Sequence, residues 1–223
     1  MQYQEFIYLA ELVGVVVFAS SGALAAQGKR LDILGVVVLA IVTALGGGTL
    51  RDIVLDSHPV SWIANTSYLW MAIVAAVSVF ILCRYWNYPR RALLVLDAMG
   101  LALFAILGAQ KALAMELPPV IVVIMAMVTG CAGGMIRDII TGQIPLILQR
   151  DGELYATCAL LGALFYVVFD GTIDDQLLAL VAMAIIFLVR LAAMFGDLCL
   201  PEFVMAGHRL EPREVKKQET DKP

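Results

Sequence analysis

The apolar positions of this chain run in stretches about as long as a bilayer is thick, and its few charges collect in short patches between them. A spanning helix needs about 20 mainly apolar residues. Seven runs qualify or come close: 6–26, 31–50, 67–84, 92–114, 118–140, 154–169 and 177–195. The sixth is short, and the second and fifth contain glycine clusters. The polar connections are brief, reading QGKRLD, YWNYPRR and QRDGE. In lipid every backbone amide and carbonyl must find its partner inside the segment, so runs of this kind predict helices. The first run has no basic residue before it and outlasts a signal-peptide core, which makes it a retained span. After Pro201 the chain turns to HRLEPREVKKQETDKP, which reads as a solvated, disordered tail over 201–223.

Composition agrees with that pattern and closes off alternatives. Residues are 61% hydrophobic and only 15% charged, where a soluble domain carries about 25% charged residues. Four cysteines without CxxC spacing read as packing residues, and two histidines, His58 and His208, leave no material for a zinc or haem site. There is no GxSxG, no Walker motif and no HExxH, so the expectation is no enzyme, no cofactor, no resident metal and no nucleic-acid partner. Lysine and arginine distribution sets orientation. With the N-terminus outside, Lys29, Arg30, Arg84, Arg90, Arg91, Arg150 and the tail cations Arg209, Arg213, Lys216, Lys217 and Lys222 all face the cytoplasm. The C-terminus is then cytoplasmic as well.

One stretch recurs. Residues 43–59 read TALGGGTLRDIVLDSHP and residues 129–145 read TGCAGGMIRDIITGQIP, superposing without a gap at an offset of 86. Thr43 meets Thr129, Gly47 and Gly48 meet Gly133 and Gly134, and Arg51-Asp52 meets Arg137-Asp138. The same offset aligns the preceding spans, Glu11 with Asp97, Gly14 with Gly100, Phe18-Ala19 with Phe104-Ala105 and Gly22-Ala23 with Gly108-Ala109. Three spans per copy force the second copy to enter from the opposite side, so the halves are related by a pseudo-two-fold axis in the membrane plane. The predicted fold is all-α and integral to the membrane: seven transmembrane helices as an inverted 3+3 repeat plus one helix. The units are 1–86, 87–172, the seventh helix in 173–200, and the tail.

Candidate chemistry sits in the repeated motif. Gly46, Gly47 and Gly48, with Gly133 and Gly134, are consecutive rather than four apart. That suits a kink or an unwound turn better than a packing stripe, although packing is the commoner use of small residues in membrane helices. Arg51 and Arg137 each cost about 2.5–3.5 kcal/mol at a helix centre on insertion scales, so a partner is expected. Neighbours in sequence point about 100° apart on a helix. The expected pairs are therefore crossed, Arg51 with Asp138 and Arg137 with Asp52, or run to Glu11 and Asp97 on adjacent spans; the bland alternative is arginines that snorkel and anchor. Ser20 and Ser21 either add hydroxyl lining or bond back to their own helix. Gln110 and Lys111 read as interfacial, and Arg190 as a snorkelling residue.

The doubled GG-x-x-RD in a seven-span chain resembles the trimeric intracellular cation channel family, specifically its bacterial branch, whose members are also called glycine transporters. The resemblance covers about residues 5–196. It implies a homotrimer in the bacterial plasma (inner) membrane, each subunit holding its own pore for monovalent cations, chiefly potassium. It also implies that the second and fifth helices kink at the glycines and line that pore. Arg51, Asp52, Arg137, Asp138, Thr43, Thr129, Ser20 and Ser21 are then the sequence's candidates for polar lining or gating. Ala132 stands where the second copy would carry its first glycine. Eukaryotic members carry a lysine-glutamate-valine motif associated with phosphoinositide lipid; here the matching residues are Arg51-Asp52-Ile53, so membrane lipid is expected around the protein rather than through that motif. The competing reading is a carrier for glycine or another small zwitterion, an arginine holding the carboxylate and an aspartate the amine.

Overall fold

The computed structural model describes residues 3–86, 90–149 and 154–196. Eight α-helices are found among them: α1 (Tyr3–Ala25), α2 (Ile33–Val54), the short α3 (Ser61–Ala64), α4 (Ser67–Tyr85), α5 (Arg90–Ala114), α6 (Pro119–Ile140), α7 (Tyr155–Val168) and α8 (Asp175–Gly196). Six are long and apolar enough to cross a membrane, and α7 is a shorter apolar helix. At 1.5 Å per residue the 14 residues of α7 reach about 21 Å, short of the about 30 Å hydrocarbon core. The expected tail and the loop arginine Arg150 lie outside the described residues.

Local chemistry sets the ends. Asp32 caps α2 by accepting from the Gly35 amide at 2.7 Å, which is why the helix starts at Ile33, three residues after Arg30. Pro119 opens α6 at a position where its missing amide is no loss. Beyond α2 and α6 the chain turns in the same way twice. Ser57 N donates to Asp52 O at 2.8 Å, and Gln143 N donates to Asp138 O at 2.8 Å. The turn's left-handed residue is Asp56 in one copy (φ 50°) and Gly142 in the other (φ 68°). A short helical piece follows each turn, α3 in the first half and a 3-10 turn over Leu146–Leu148 in the second.

The halves meet through equivalent residues. Phe18 of α1 and Phe104 of α5 stack with centroids 5.3 Å apart and planes at 8°. Gly14 and Gly100 make room for that stack: a Cβ on Gly14 would lie 3.0 Å from the Phe104 ring, and one on Gly100 would strike Phe18. Where α2 crosses α6, a Cβ on Gly47 would strike the Thr129 carbonyl, and one on Gly133 the Thr43 carbonyl. Residues 43 to 47 run against 133 to 129, so the two helices cross antiparallel, as an inverted repeat requires. Thr43 and Thr129 are wholly buried there, each hydroxyl donating to its own helix, to Leu39 O at 2.7 Å and Met125 O at 2.6 Å.

The expected unwound turn is absent. Both α2 and α6 remain α-helical through their glycines. A helical glycine costs about 1 kcal/mol relative to alanine, whereas each backbone group left unpaired in lipid costs several. The helix is therefore kept, and the missing Cβ is used to let the two backbones touch.

Candidate functional site

Arg51 and Arg137 each sit one turn beyond the crossing, on helices that run in opposite directions. Arg51 lies four residues past Gly47 and Arg137 four past Gly133, so the two guanidinium-bearing positions serve opposite ends of the crossing. This separation overturns the crossed pairs: Arg51 does not meet Asp138, nor Arg137 Asp52. Each arginine instead curls onto its own neighbour, Arg51 Nε donating to Asp52 Oδ1 at 2.8 Å and Arg137 Nε to Asp138 Oδ1 at 2.9 Å. The 100° between successive side chains is bridged because a long guanidinium arm reaches back toward a short carboxylate. The second expectation for partners describes the geometry better. Arg51 lies 3.9 Å from Glu11, and Arg137 Nη1 donates to Asp97 Oδ1 at 2.6 Å.

The Arg51 cluster is closed from above by the segment after α2. Asp52, with no exposed surface, accepts from Ser61 N at 2.8 Å, Ser61 Oγ at 2.6 Å and Lys111 Nζ at 2.7 Å. Arg51 Nη2 donates to Ser61 Oγ at 3.1 Å, and Trp62 Nε1 to Thr49 Oγ1 at 3.1 Å. Tyr68 of α4 donates its hydroxyl to Glu11. Lys111 is thus an ion-pair partner of Asp52 and not a plain interfacial cation, while Gln110 beside it donates to Tyr3. Ser61 and Tyr68 escaped sequence reading because a hydroxyl in an apolar run carries no signal until its partner is known.

The Arg137 cluster is built on the same plan with different accessories. Arg137 Nη1 also donates to Ser21, and Asp138 Oδ2 accepts from Leu146 N at 3.0 Å. Ser20 takes the other option and donates to Val16 O at 2.7 Å. Tyr155 of α7 and Arg190 of α8 back this cluster, the guanidinium carbon 5.0 Å from the ring centroid. Arg190 is 1% exposed, so it does not snorkel; a guanidinium on this face of α8 finds an aromatic ring instead of an interface.

Each cluster opens on a cavity. At the Arg137 end it measures about 380 Å³ and is lined by Leu24, Lys29, Arg137, Asp138, Thr141 and Gln149 among others. At the Arg51 end it measures about 30 Å³, room for about one water, with Glu11, Gly48, Arg51, Ser61 and Tyr68 around it and Phe104 behind. No residue lines both. The glycines divide by role: Gly47 and Gly133 touch backbone, Gly46 faces Ile136, Gly134 borders Asp97 and Tyr155, and Gly48 looks onto Arg51 at 3.9 Å. Thr43 and Thr129 line neither cavity.

Seven apolar helices, six in an inverted 3+3 repeat and one beyond it, with an ion cluster at either end of the central crossing, define a polytopic membrane protein of the duplicated type. The chain belongs to the family described as glycine transporter, whose model matches residues 8–84 and 94–171, one stretch in each half. The UPF0126 inner membrane protein YadS of Escherichia coli strain K12 is 39% identical over 202 residues, covering 89% of this chain and 97% of that protein. A UPF0126 membrane protein of Vibrio cholerae is 38% identical over 206 residues, covering 89% and 83%. Among solved structures, the trimeric intracellular cation channel orthologue from Rhodobacter sphaeroides superposes with a TM-score of 0.81 at 39% identity, covering 86% of this chain and 98% of that one. A prokaryotic channel of the same kind, crystallised in 0.5 M KCl, gives 0.82 at 32% identity over 88% of this chain and 100% of that one. A channel from C. elegans shares the fold alone, with a TM-score of 0.55 at 13% identity.

Proposed function

We propose that the protein is a channel for monovalent cations, chiefly potassium, with one pathway in each subunit of a homotrimer in the bacterial inner membrane. The observation that carries this reading is the state of the two arginines. Arginines in a passage repel cations unless their charge is answered. Here Arg51 and Lys111 stand against Asp52 and Glu11, and Arg137 against Asp97 and Asp138, so each arginine is answered by carboxylates in contact with it. The names of the solved relatives support a cation as the permeating species. In this reading Arg51, Asp52, Arg137 and Asp138 line the two mouths. Ser21 and Ser61 hold the arginines in place, and the glycine contacts at Gly47 and Gly133 are where α2 and α6 part when the pathway opens. The two repeats, 1–86 and 87–172, act as the bodies that separate, with the N-terminus outside and the C-terminus in the cytoplasm.

The family's description favours a second reading, carriage of glycine. Arg137 is the natural ligand for its carboxylate, yet that guanidinium is already engaged by two carboxylates, which a substrate would have to displace. The deciding experiment is recording from purified protein in a planar bilayer under a potassium chloride gradient. The channel gives discrete ohmic steps that reverse near the potassium equilibrium potential. Silent bilayers together with saturable glycine uptake into liposomes would overturn it in favour of the carrier.

A further inference from the structure

The duplication accounts for six of the seven apolar helices, and the seventh has a seat of its own. α8 lies against α5 and α7 and touches α1. An offset of 86 relates those three helices to α1, α4 and α5, so the fold offers a second seat of the same kind. No helix among the described residues takes it. α4 and α5 follow one another in the chain yet do not touch, and between them, with α1 as floor, lies a groove of about 520 Å³. Leu24 of α1, Val79 and Leu82 of α4, and Val95 and Leu96 of α5 make its walls, with Arg91 at one end. Ser20, on the floor, donates its hydroxyl to Val16 O at 2.7 Å and so asks nothing polar of an occupant.

The charged end of the groove narrows what fits it. Arg91 is exposed and makes no hydrogen bond or ion pair among the described residues, and the same holds for Arg84 near the end of α4. Beside Arg84, Tyr85 and Trp86 are 74% and 65% exposed, rings of the kind that sit at headgroup level. An apolar helix face laid over the groove would bury the Arg91 charge unanswered. A phospholipid answers it with phosphate and lays hydrocarbon on the leucines and valines. We propose that the groove between α4 and α5 is a binding site for an anionic phospholipid, its phosphate on Arg91 and an acyl chain along Val79, Leu82, Val95 and Leu96. The lipid thus takes, in the first half, the seat that α8 takes in the second. Basic pockets between spanning helices suit anionic headgroups on the cytoplasmic side. This end of the groove lies on the face of Lys29 and Arg30, the cytoplasmic one in the orientation proposed above. The site stands apart from Arg51-Asp52-Ile53 at the other end of the molecule. Ser20 on its floor is followed by Ser21, which accepts from Arg137, so the occupant lies one residue from the Arg137 cluster.

The test is native mass spectrometry of the full chain from mild detergent, with phosphatidylglycerol and phosphatidylcholine of the same acyl chains added in equal amounts. Wild type retains phosphatidylglycerol over phosphatidylcholine. Arg91→Gln lowers that preference about fivefold, the worth of one basic side chain facing an anionic headgroup. Arg30→Gln, which removes an exposed cation on the same face but outside the groove, leaves the preference unchanged. Val95→Trp fills the groove and lowers retention of both lipids. Glycerol phosphate, a headgroup without chains, does not displace the bound lipid. Equal retention of the two lipids by wild type overturns the proposal. So does a loss in Arg30→Gln as large as that in Arg91→Gln, which reduces the effect to surface charge. A Val95→Trp protein that keeps its lipid overturns the seat for the acyl chain, and one whose assembly loses subunits assigns the groove to a second copy instead. Arg91 is exposed, so Arg91→Gln carries the test if Val95→Trp fails to fold.

Discussion

Single glycines in the repeated motif have separable duties, and substitution distinguishes them. Gly47 and Gly133 each face a carbonyl oxygen of the opposing helix, an atom that cannot rotate away. Gly47→Ala and Gly133→Ala should each lower stability by about 1–3 kcal/mol, the usual range for overpacking. Gly48→Ala meets nothing nearer than 3.9 Å and should be neutral or slightly stabilising through helix propensity. Thermal unfolding in detergent separates the three; equal losses would mean that flexibility, rather than contact, is what all of them supply. The charged residues rank in the same manner. Asp52→Asn removes the buried negative charge that answers Arg51 and Lys111 and should cost about 3–5 kcal/mol. Lys111→Gln should cost distinctly less, because that side chain is 28% exposed and its loss leaves Asp52 with Arg51 and Ser61. The melting temperatures should fall in that order.

At the scale of elements, the segment behind α2 is a strap tied to Asp52 through Ser61 and to Thr49 through Trp62. Ser61→Ala removes the hydroxyl's bonds but leaves the backbone amide on Asp52, so a loss of about 1 kcal/mol is expected, read from the same melting curves. A loss as large as that of Asp52→Asn would show that the hydroxyl, not the amide, holds the strap. Much of this was legible beforehand and some was not. The spans and the offset of 86 follow from apolar run length and identical residues in register, whereas the pairing of Arg137 with Asp97 is one of two alternatives the sequence leaves open. The end of α2 did not: a chain leaving the bilayer is expected to stop at Leu50, before Arg51, whereas the helix continues to Val54 because its charges are covered by protein. Nor did the fate of the glycines, since a missing Cβ serves a break and a close approach equally well. Only the opposing carbonyl decides between them. Lys111 and Arg190 were misread for a related reason: a long cation near a helix end snorkels by default, and its true partner belongs to a different helix.

For the molecule as a whole, the inverted arrangement makes a topological prediction. Reporter fusions placed after Gly28 and at the C-terminus should report the cytoplasm, and one placed after Glu116 should report the outside. That outcome follows from the lysine and arginine bias together with antiparallel α2 and α6. The same compartment for Gly28 and Glu116 would be incompatible with three spans per repeat. Deletion of α8 should spare the Arg51 cluster and disturb the Arg137 cluster, since only the latter has Tyr155 and Arg190 behind it.

The Phe18–Phe104 stack carries a consequence about descent. A residue on a two-fold axis meets its own counterpart, so in an ancestral half that paired with a second copy of itself, one mutation there would alter both sides of the contact at once. Positions off the axis are under no such constraint once the halves are fused in one gene. This chain is written accordingly. Phe18 and Phe104, which stack on each other, are still the same residue in both copies. Ser61 against Ile147, Leu69 against Tyr155 and Lys111 against Ala25 have parted, and those divergences are what distinguish one face of the membrane from the other.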